Sequence, residues 1–215
     1  MIIGICGFIG SGKDTVADYL VNFHDFRRES FASSLKDAVA NVFGWDRVLL
    51  EGRTASSRAW RETTDEWWSN RLGMQITPRW VLQNWGTEVL RVGFHDDIWI
   101  ASLENKLRSL NEDIVITDCR FPNELKAIKN IGGITMRTHR GTEPEWVTYA
   151  EKLNNGSEYP QQMIQSLEEV FKVHPSEYSS VGLSYDYHLD NTGTITYLHK
   201  QLESVINSQV ATLPR

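Results

Sequence analysis

The segment Gly7-Phe8-Ile9-Gly10-Ser11-Gly12-Lys13-Asp14-Thr15 has the residue types that phosphate chemistry asks for. Glycines let a backbone curl until successive N–H groups point inward at phosphate oxygens. A helix that follows adds its positive N-terminal end, and the lysine adds a full charge. The flanks agree, since the apolar run Ile2-Ile3-Gly4-Ile5-Cys6 precedes as a strand would, and Val16, Leu20 and Phe23 follow at helical spacing. We read the segment as a nucleoside triphosphate site; the bland alternative is a glycine turn opening an ordinary αβ unit. One position departs from the general motif, which puts Ser or Thr after the lysine to hold Mg²⁺. Here Asp14 stands there, with Thr15 next.

A second cluster is Asp118-Cys119-Arg120-Phe121-Pro122-Asn123-Glu124, which ends the apolar run Ile114-Val115-Ile116-Thr117-Asp118. Ligands collect at the carboxyl ends of parallel strands. An acidic residue there, in a chain with a phosphate loop, faces Mg²⁺, a bound water or a substrate hydroxyl, and Arg120 can reach a phosphate. A structural Asp–Arg pair is the alternative. A third candidate follows Thr77-Pro78: Arg79, Gln83 and Thr87 recur every four residues on one helical face, with Leu82, Trp85 and Val89 on another. Such a stripe can bind a phosphate and a base, or be a solvated surface. By themselves Arg61-Glu62-Thr63 and Lys36 read by default as surface charge, and Trp99 as core.

Strand and helix signals alternate along the whole chain, which predicts an α/β fold: a parallel sheet with helices on both faces. Phe26–Phe31 reads as a second strand, and Ser33 as the cap of a helix carrying Leu35, Val39, Val42 and Phe43 and closed by Gly44. From Trp45 to Met74 the pattern weakens into a stretch rich in Trp, Arg and Glu, expected as an insertion over the ligand edge of the sheet. Thr77 and Pro78 open the next helix. Asp96 or Asp97 opens another, with Ile100, Leu103, Leu107 and Leu110 as its stripe. The run from Ile114 reads as a central strand. Pro122–Asn130 is a short helix ended by Gly132-Gly133, Ile134–Thr138 a strand, 141–173 a polar and partly helical excursion, and Tyr185–Leu189 the last strand. A final helix buries Ile195, Leu198, Leu202 and Val205.

The chain has 215 residues and a net charge of −6, which argues against non-specific nucleic-acid binding and means that arginines handling phosphate must be locally concentrated. No apolar stretch approaches a membrane span, and the opening strand carries no basic leader, so the expectation is a cytoplasmic protein without a targeting signal. Cys6 and Cys119 are expected as reduced thiols.

Taken in order, these pieces resemble the bacteriophage deoxynucleoside monophosphate kinases, members of the P-loop nucleoside monophosphate kinases. The resemblance rests on Gly12-Lys13-Asp14-Thr15, Lys36-Asp37-Ala38, Arg61-Glu62-Thr63, Arg79 through Gln83 to Gly86-Thr87, Trp99, Thr117-Asp118-Cys119-Arg120 with Glu124, His174-Pro175-Ser176-Glu177 and Asn191-Thr192-Gly193. Asp14 is at home in that family. The resemblance implies a single P-loop kinase domain with a monophosphate-binding insertion at about 45–100 and a lid-like excursion at about 141–180. It implies phosphoryl transfer from ATP, with Mg²⁺, to a deoxynucleoside 5′-monophosphate, and a homodimer. Gly10, Ser11, Gly12, Lys13, Asp14 and Thr15 would hold the ATP phosphates, Asp14 and Thr15 also the metal, partly through water. Asn191 and Gly193 would lie near the adenine. Lys36, Arg61, Arg79, Gln83, Gly86, Thr87, Trp99, Asp118, Arg120 and Glu124 would build the acceptor site. Lys13, Asp118, Arg120 and Arg140 would act on the transferring phosphate.

Two other classes stay in view. A regulatory GTPase or transport ATPase shares the phosphate loop, but Asn105-Lys106-Leu107-Arg108 lacks the aspartate of a guanine reader, and Asp190-Asn191-Thr192-Gly193 lies at the last strand's exit. A kinase of an unphosphorylated acceptor, such as a nucleoside or a coenzyme precursor, would need far fewer arginines in the insertion.

Overall fold

The computed structural model describes residues 1–212, which fall into two compact units: Met1–Ser30 with the chain from Asn111 onward, and Phe31–Leu110. In the first unit, five strands form one sheet: β1 (Ile2–Cys6), β2 (Arg27–Glu29), β3 (Ile114–Ile116), β4 (Ile134–His139) and β5 (Tyr187–Asp190). Their order is β2-β3-β1-β4-β5, and every pairing is parallel. This is the parallel sheet that the alternation of strand and helix signals predicts. All carboxyl ends therefore share one edge, which carries the phosphate loop after β1, Asp118 after β3 and Asn191 after β5.

Strand alternation divides the faces. Ile3 and Ile5 join Val115, Met136 and Leu189 against α1 (Lys13–Phe23) and α12 (Ile195–Thr212), whose Val16, Ala17, Leu20, Leu198 and Leu202 complete that core. Gly4 faces the other way, so close to Ile128 of α8 (Pro122–Asn130) that a methyl group on it would overlap that side chain. Helices thus cover both faces. Phe23 and Ile195, expected on the buried stripes, are exposed, because they sit at the last and first positions of their helices, beyond the sheet. The strand signals overrun as well: only Arg27–Glu29 of the second expected strand pairs, and β3 closes at Ile116. That leaves Thr117–Arg120 as loop. β3 has neighbours on both sides, and the centre of the sheet is β1.

The excursion after β4 is more ordered than its polar sequence suggests. It contains α9 (Val147–Asn154), α10 (Pro160–Gln165), a π-helical turn at Ser166–Val170 and α11 (Pro175–Tyr178). Val147, Ala150, Leu167, Tyr178 and Val181 form a small core of its own, joined by Phe8 and Trp146. The Asn154 amide donates to the Tyr178 and Val181 carbonyls, 2.8 Å each, and satisfies loop groups that burial would otherwise leave unpaired.

The second unit is helical. It starts at Phe31, and α2 (Ser33–Phe43) packs within it. Ser33 is the first helical residue and Ala32 holds the cap position, while Gly44 closes the helix at φ 68° as expected. The Trp45–Met74 stretch forms α3 (Arg47–Glu51), α4 (Ala55–Glu62) and α5 (Glu66–Leu72). Helices this short span too few turns for an apolar period to show. They are instead fixed at their starts by the Asp46, Thr54 and Asp65 side chains, which accept from Val48, Ser57 and Trp68 amides. α6 (Pro78–Gln83), capped by Thr77, runs into a π-helical segment, Asn84–Val92, and α7 (Ile98–Leu107) follows. Asp97 holds the cap position of α7, and Ile100 and Leu103 are buried, but Leu110 lies beyond the helix. Phe43 anchors an aromatic cluster with Trp45, Trp68 and Trp85 at ring-centroid distances of 4.4, 4.8 and 5.4 Å. Among the described residues, no helix is long and apolar enough to cross a membrane.

Candidate active site

The phosphate loop is held before any ligand arrives. Gly10 (φ 81°) and Gly12 (φ 103°) occupy backbone conformations that side chains disfavour, and Gly12 lets α1 begin at Lys13. Ser11 is buried, its hydroxyl 2.8 Å from Thr138 Oγ1, and Thr138 in turn donates to the Cys6 carbonyl. Asn191 donates through its amide to the Ser11 carbonyl at 2.9 Å and packs against Gly12. The resemblance put Asn191 near the adenine; in the structure its side chain is tied to the loop backbone, and Gly193 is exposed beyond it.

Lys13 folds its ammonium back to donate to the Gly7 and Phe8 carbonyls at 2.6 and 2.9 Å. Burial and the nearby Arg120 charge push its pKa down, against the opposing pull of Asp14, Glu177 and Cys6. A cation in that state is short of negative charge, which is what nucleotide phosphates supply. It opens on a pocket lined also by Gly7, Phe8, Asp118, Arg120, Arg137 and Glu177.

Arg120 donates to Glu177 of α11 at 2.5 Å. Glu124, which the resemblance assigned to the acceptor site, is buried and accepts the Arg120 and Phe121 amides at 2.7 and 3.1 Å, so it sets the turn that carries Asp118 and Arg120. Asp14 and Thr15 are exposed, and the Asp14 carboxylate takes Arg28 as partner at 3.2 Å. Asp118 lies on the pocket wall. Among the described residues, no group of three or more His, Cys, Asp or Glu gathers as a metal site. Arg140, expected beside the transferring phosphate, is exposed just past β4 and does not line this pocket. Arg137, three residues earlier, does; its sequence signal was an arginine inside an otherwise uncharged strand pattern.

The Phe31–Leu110 unit gathers the other expected residues. The Arg61 guanidinium lies against Gly52, the αL cap of α3, and its Nε is buried with no hydrogen-bond partner. Burial and then the Arg79 charge disfavour its charged form; Arg58 adds to this, and Glu62 and Glu51 oppose it. Arg79 donates to Glu62 at 2.6 Å, and Lys36 to Glu51 at 2.8 Å. Trp99 is core, as its residue type suggested, and its indole donates to the Gly86 carbonyl at 2.8 Å, which fixes the π-helical segment. That segment interrupts the expected helical face after Gln83: its wider turn leaves Val89 exposed, Gln83 exposed and Thr87 half-buried. Glu51 and Glu62, the carboxylates that partner Lys36 and Arg79, were missed from sequence because charged residues on short helices read as surface.

No family model matches the chain. A protein of Acanthamoeba polyphaga mimivirus described as a deoxynucleotide monophosphate kinase is 33% identical over 152 residues, covering 65% of this chain and 74% of that protein. The deoxynucleoside-5′-monophosphate kinase of Escherichia phage T5 is 25% identical over 186 residues, covering 63% of this chain and 74% of its own. Among solved structures, shikimate kinase from Aquifex aeolicus is 14% identical, with 99% of this chain and 100% of that chain covered at a TM-score of 0.46. A phosphate loop on the carboxyl edge of a parallel sheet, cationic residues gathered in both units and the mimivirus likeness converge: the chain belongs to the deoxynucleoside monophosphate kinase family.

Proposed function

We propose that the protein transfers the γ-phosphoryl group of ATP to a deoxynucleoside 5′-monophosphate, giving the diphosphate. The observation that carries the acceptor class is Arg61, a half-buried guanidinium whose Nε is buried without a hydrogen-bond partner, beside the charge of Arg79. Leaving a buried donor unpaired next to a like charge costs free energy, and an acceptor's phosphate removes both penalties at once. An unphosphorylated acceptor can offer Nε a neutral oxygen but leaves the two like charges unbalanced.

The chemistry asks little covalent work of the protein, because the acceptor is already an anion and the barrier lies in aligning two anions and neutralising developing charge. Lys13 leaves its loop carbonyls for the β- and γ-phosphates, and Arg120 exchanges Glu177 for phosphate oxygens. Asp118 orients the transferring phosphate, and with Thr15 it would hold water of the divalent cation that accompanies ATP. That cation supplies charge neutralisation at the phosphates. Lys36, Arg61, Arg79, Gln83 and the π-helical Gly86 and Thr87 bind the monophosphate.

The test is ADP release from ATP, measured by a coupled assay against the deoxy- and ribonucleoside monophosphates. Turnover with deoxynucleoside monophosphates is expected. Turnover without any acceptor, or only with an unphosphorylated nucleoside, overturns the reading.

A further inference from the structure

Arg137 sits mid-strand in β4, in register with Cys6, the residue that leads into the phosphate loop. Its side chain is only 17% exposed and lines the same pocket as Lys13 and Arg120. The guanidinium carbon lies 5.4 Å from the centroid of the Phe8 ring, and Phe8 is backed by Trp146 with ring centroids 5.1 Å apart. These contacts pack the guanidinium beside an aromatic pair. A guanidinium carries five N–H donors, and the described hydrogen bond of Arg137 is to one oxygen of Glu143. Glu143 stands at the start of the excursion, as Glu177, the partner of Arg120, stands near its end. Both pocket arginines are thus paired with carboxylates of the excursion.

A half-buried guanidinium is expensive unless its donors are used. In a pocket that opens on a phosphate loop, the chemistry that uses them is a second oxyanion. We propose that Arg137 contacts the terminal phosphoryl group of the nucleoside triphosphate as a third cation beside Lys13 and Arg120, with Glu143 as the counter-ion it exchanges for phosphate. The inference rests on the Gly7–Thr15 loop being a triphosphate site, and is independent of which acceptor is used.

Equilibrium binding of ATP and of ADP, without acceptor, tests it in wild type, Arg137→Gln and Glu143→Gln. The Arg137→Gln variant should bind ATP roughly tenfold to hundredfold more weakly, as expected for a lost charge-assisted hydrogen bond, and ADP much less affected. Glu143→Gln should bind ATP at least as tightly as wild type, since a competing carboxylate is gone. Equal weakening of ATP and ADP by Arg137→Gln, or a loss of ATP binding in Glu143→Gln matching it, marks a structural ion pair and overturns the proposal. Should Arg137→Gln not fold, Arg137→Lys keeps a cation over Phe8 yet cannot form the fork, so it must still lower the ATP-to-ADP affinity ratio. Wild-type protein that binds no triphosphate overturns this inference and the proposed function together. Wild type that binds ATP but turns over no monophosphate overturns only the acceptor reading.

Discussion

At the scale of single residues, Arg61 and Arg79 differ in what they lack. Arg79 already has Glu62, whereas Arg61 has a buried Nε with no partner and a like charge beside it. Removing Arg61 should therefore remove the stronger phosphate contact: Arg61→Ala raises KM for the monophosphate about tenfold to hundredfold and leaves KM for ATP nearly unchanged. Arg79→Lys keeps the charge but loses the planar fork, so it should also raise the monophosphate KM, by a smaller factor. Steady-state titration of each substrate with the other saturating separates the two sides. If both variants weaken ATP and spare the monophosphate, these arginines serve the donor.

At the scale of elements, caps and bends matter more than helix faces. Gly52 ends α3 at φ 66°, and a methyl group there would overlap the Arg61 guanidinium. Gly52→Ala should then act twice. It forces an L-residue into the left-handed region, costing about 1–2 kcal/mol of stability, and it displaces Arg61. The expected readouts are a lower Tm and a raised monophosphate KM at unchanged ATP KM. A lower Tm with normal KM values for both substrates would mean that Arg61 can move without consequence. The π-helical Asn84–Val92 segment explains why four-residue spacing misjudged one face: its apolar period was read at 3.6 residues per turn, and i→i+5 bonding ends that phase at Gln83. The phosphate loop, by contrast, was legible because its glycines are demanded by backbone geometry that no neighbour can change.

At the scale of the whole molecule, the two units carry different charge balances and different reporters. Trp45, Trp60, Trp67, Trp68, Trp80, Trp85 and Trp99 lie in the Phe31–Leu110 unit and only Trp146 in the other, so tryptophan emission follows the former. In that unit burial tends to raise the pKa of Glu51, but Lys36 and Arg47 more than reverse this, and it falls from 4.5 to about 2. A depressed carboxylate stabilises the fold above its unfolded pKa, and that contribution fades as pH falls from about 4.5 toward 2. Urea unfolding followed by tryptophan emission should show wild type more stable than Glu51→Gln at pH 7, with the gap closing through that window. A gap independent of pH would mean that the carboxylate is not held by its cations in the folded state.

The sequence by itself determined the features set by local covalent geometry and by runs of one residue class: the glycine loop and Lys13, the buried parallel strands, the α/β fold, and the Asp118–Arg120 turn at a strand end. Tertiary structure alone decided which charges meet. Glu51 reaches Lys36, Glu62 reaches Arg79, Glu177 reaches Arg120, and Glu143 reaches Arg137. It also left Arg140 exposed and brought Arg137 into the pocket, although one arginine lies in β4 and the other just past its end. The physical reason is range: a backbone preference is written within a few residues, whereas an ion pair depends on where distant segments bring their side-chain ends. No spacing along the chain encodes that.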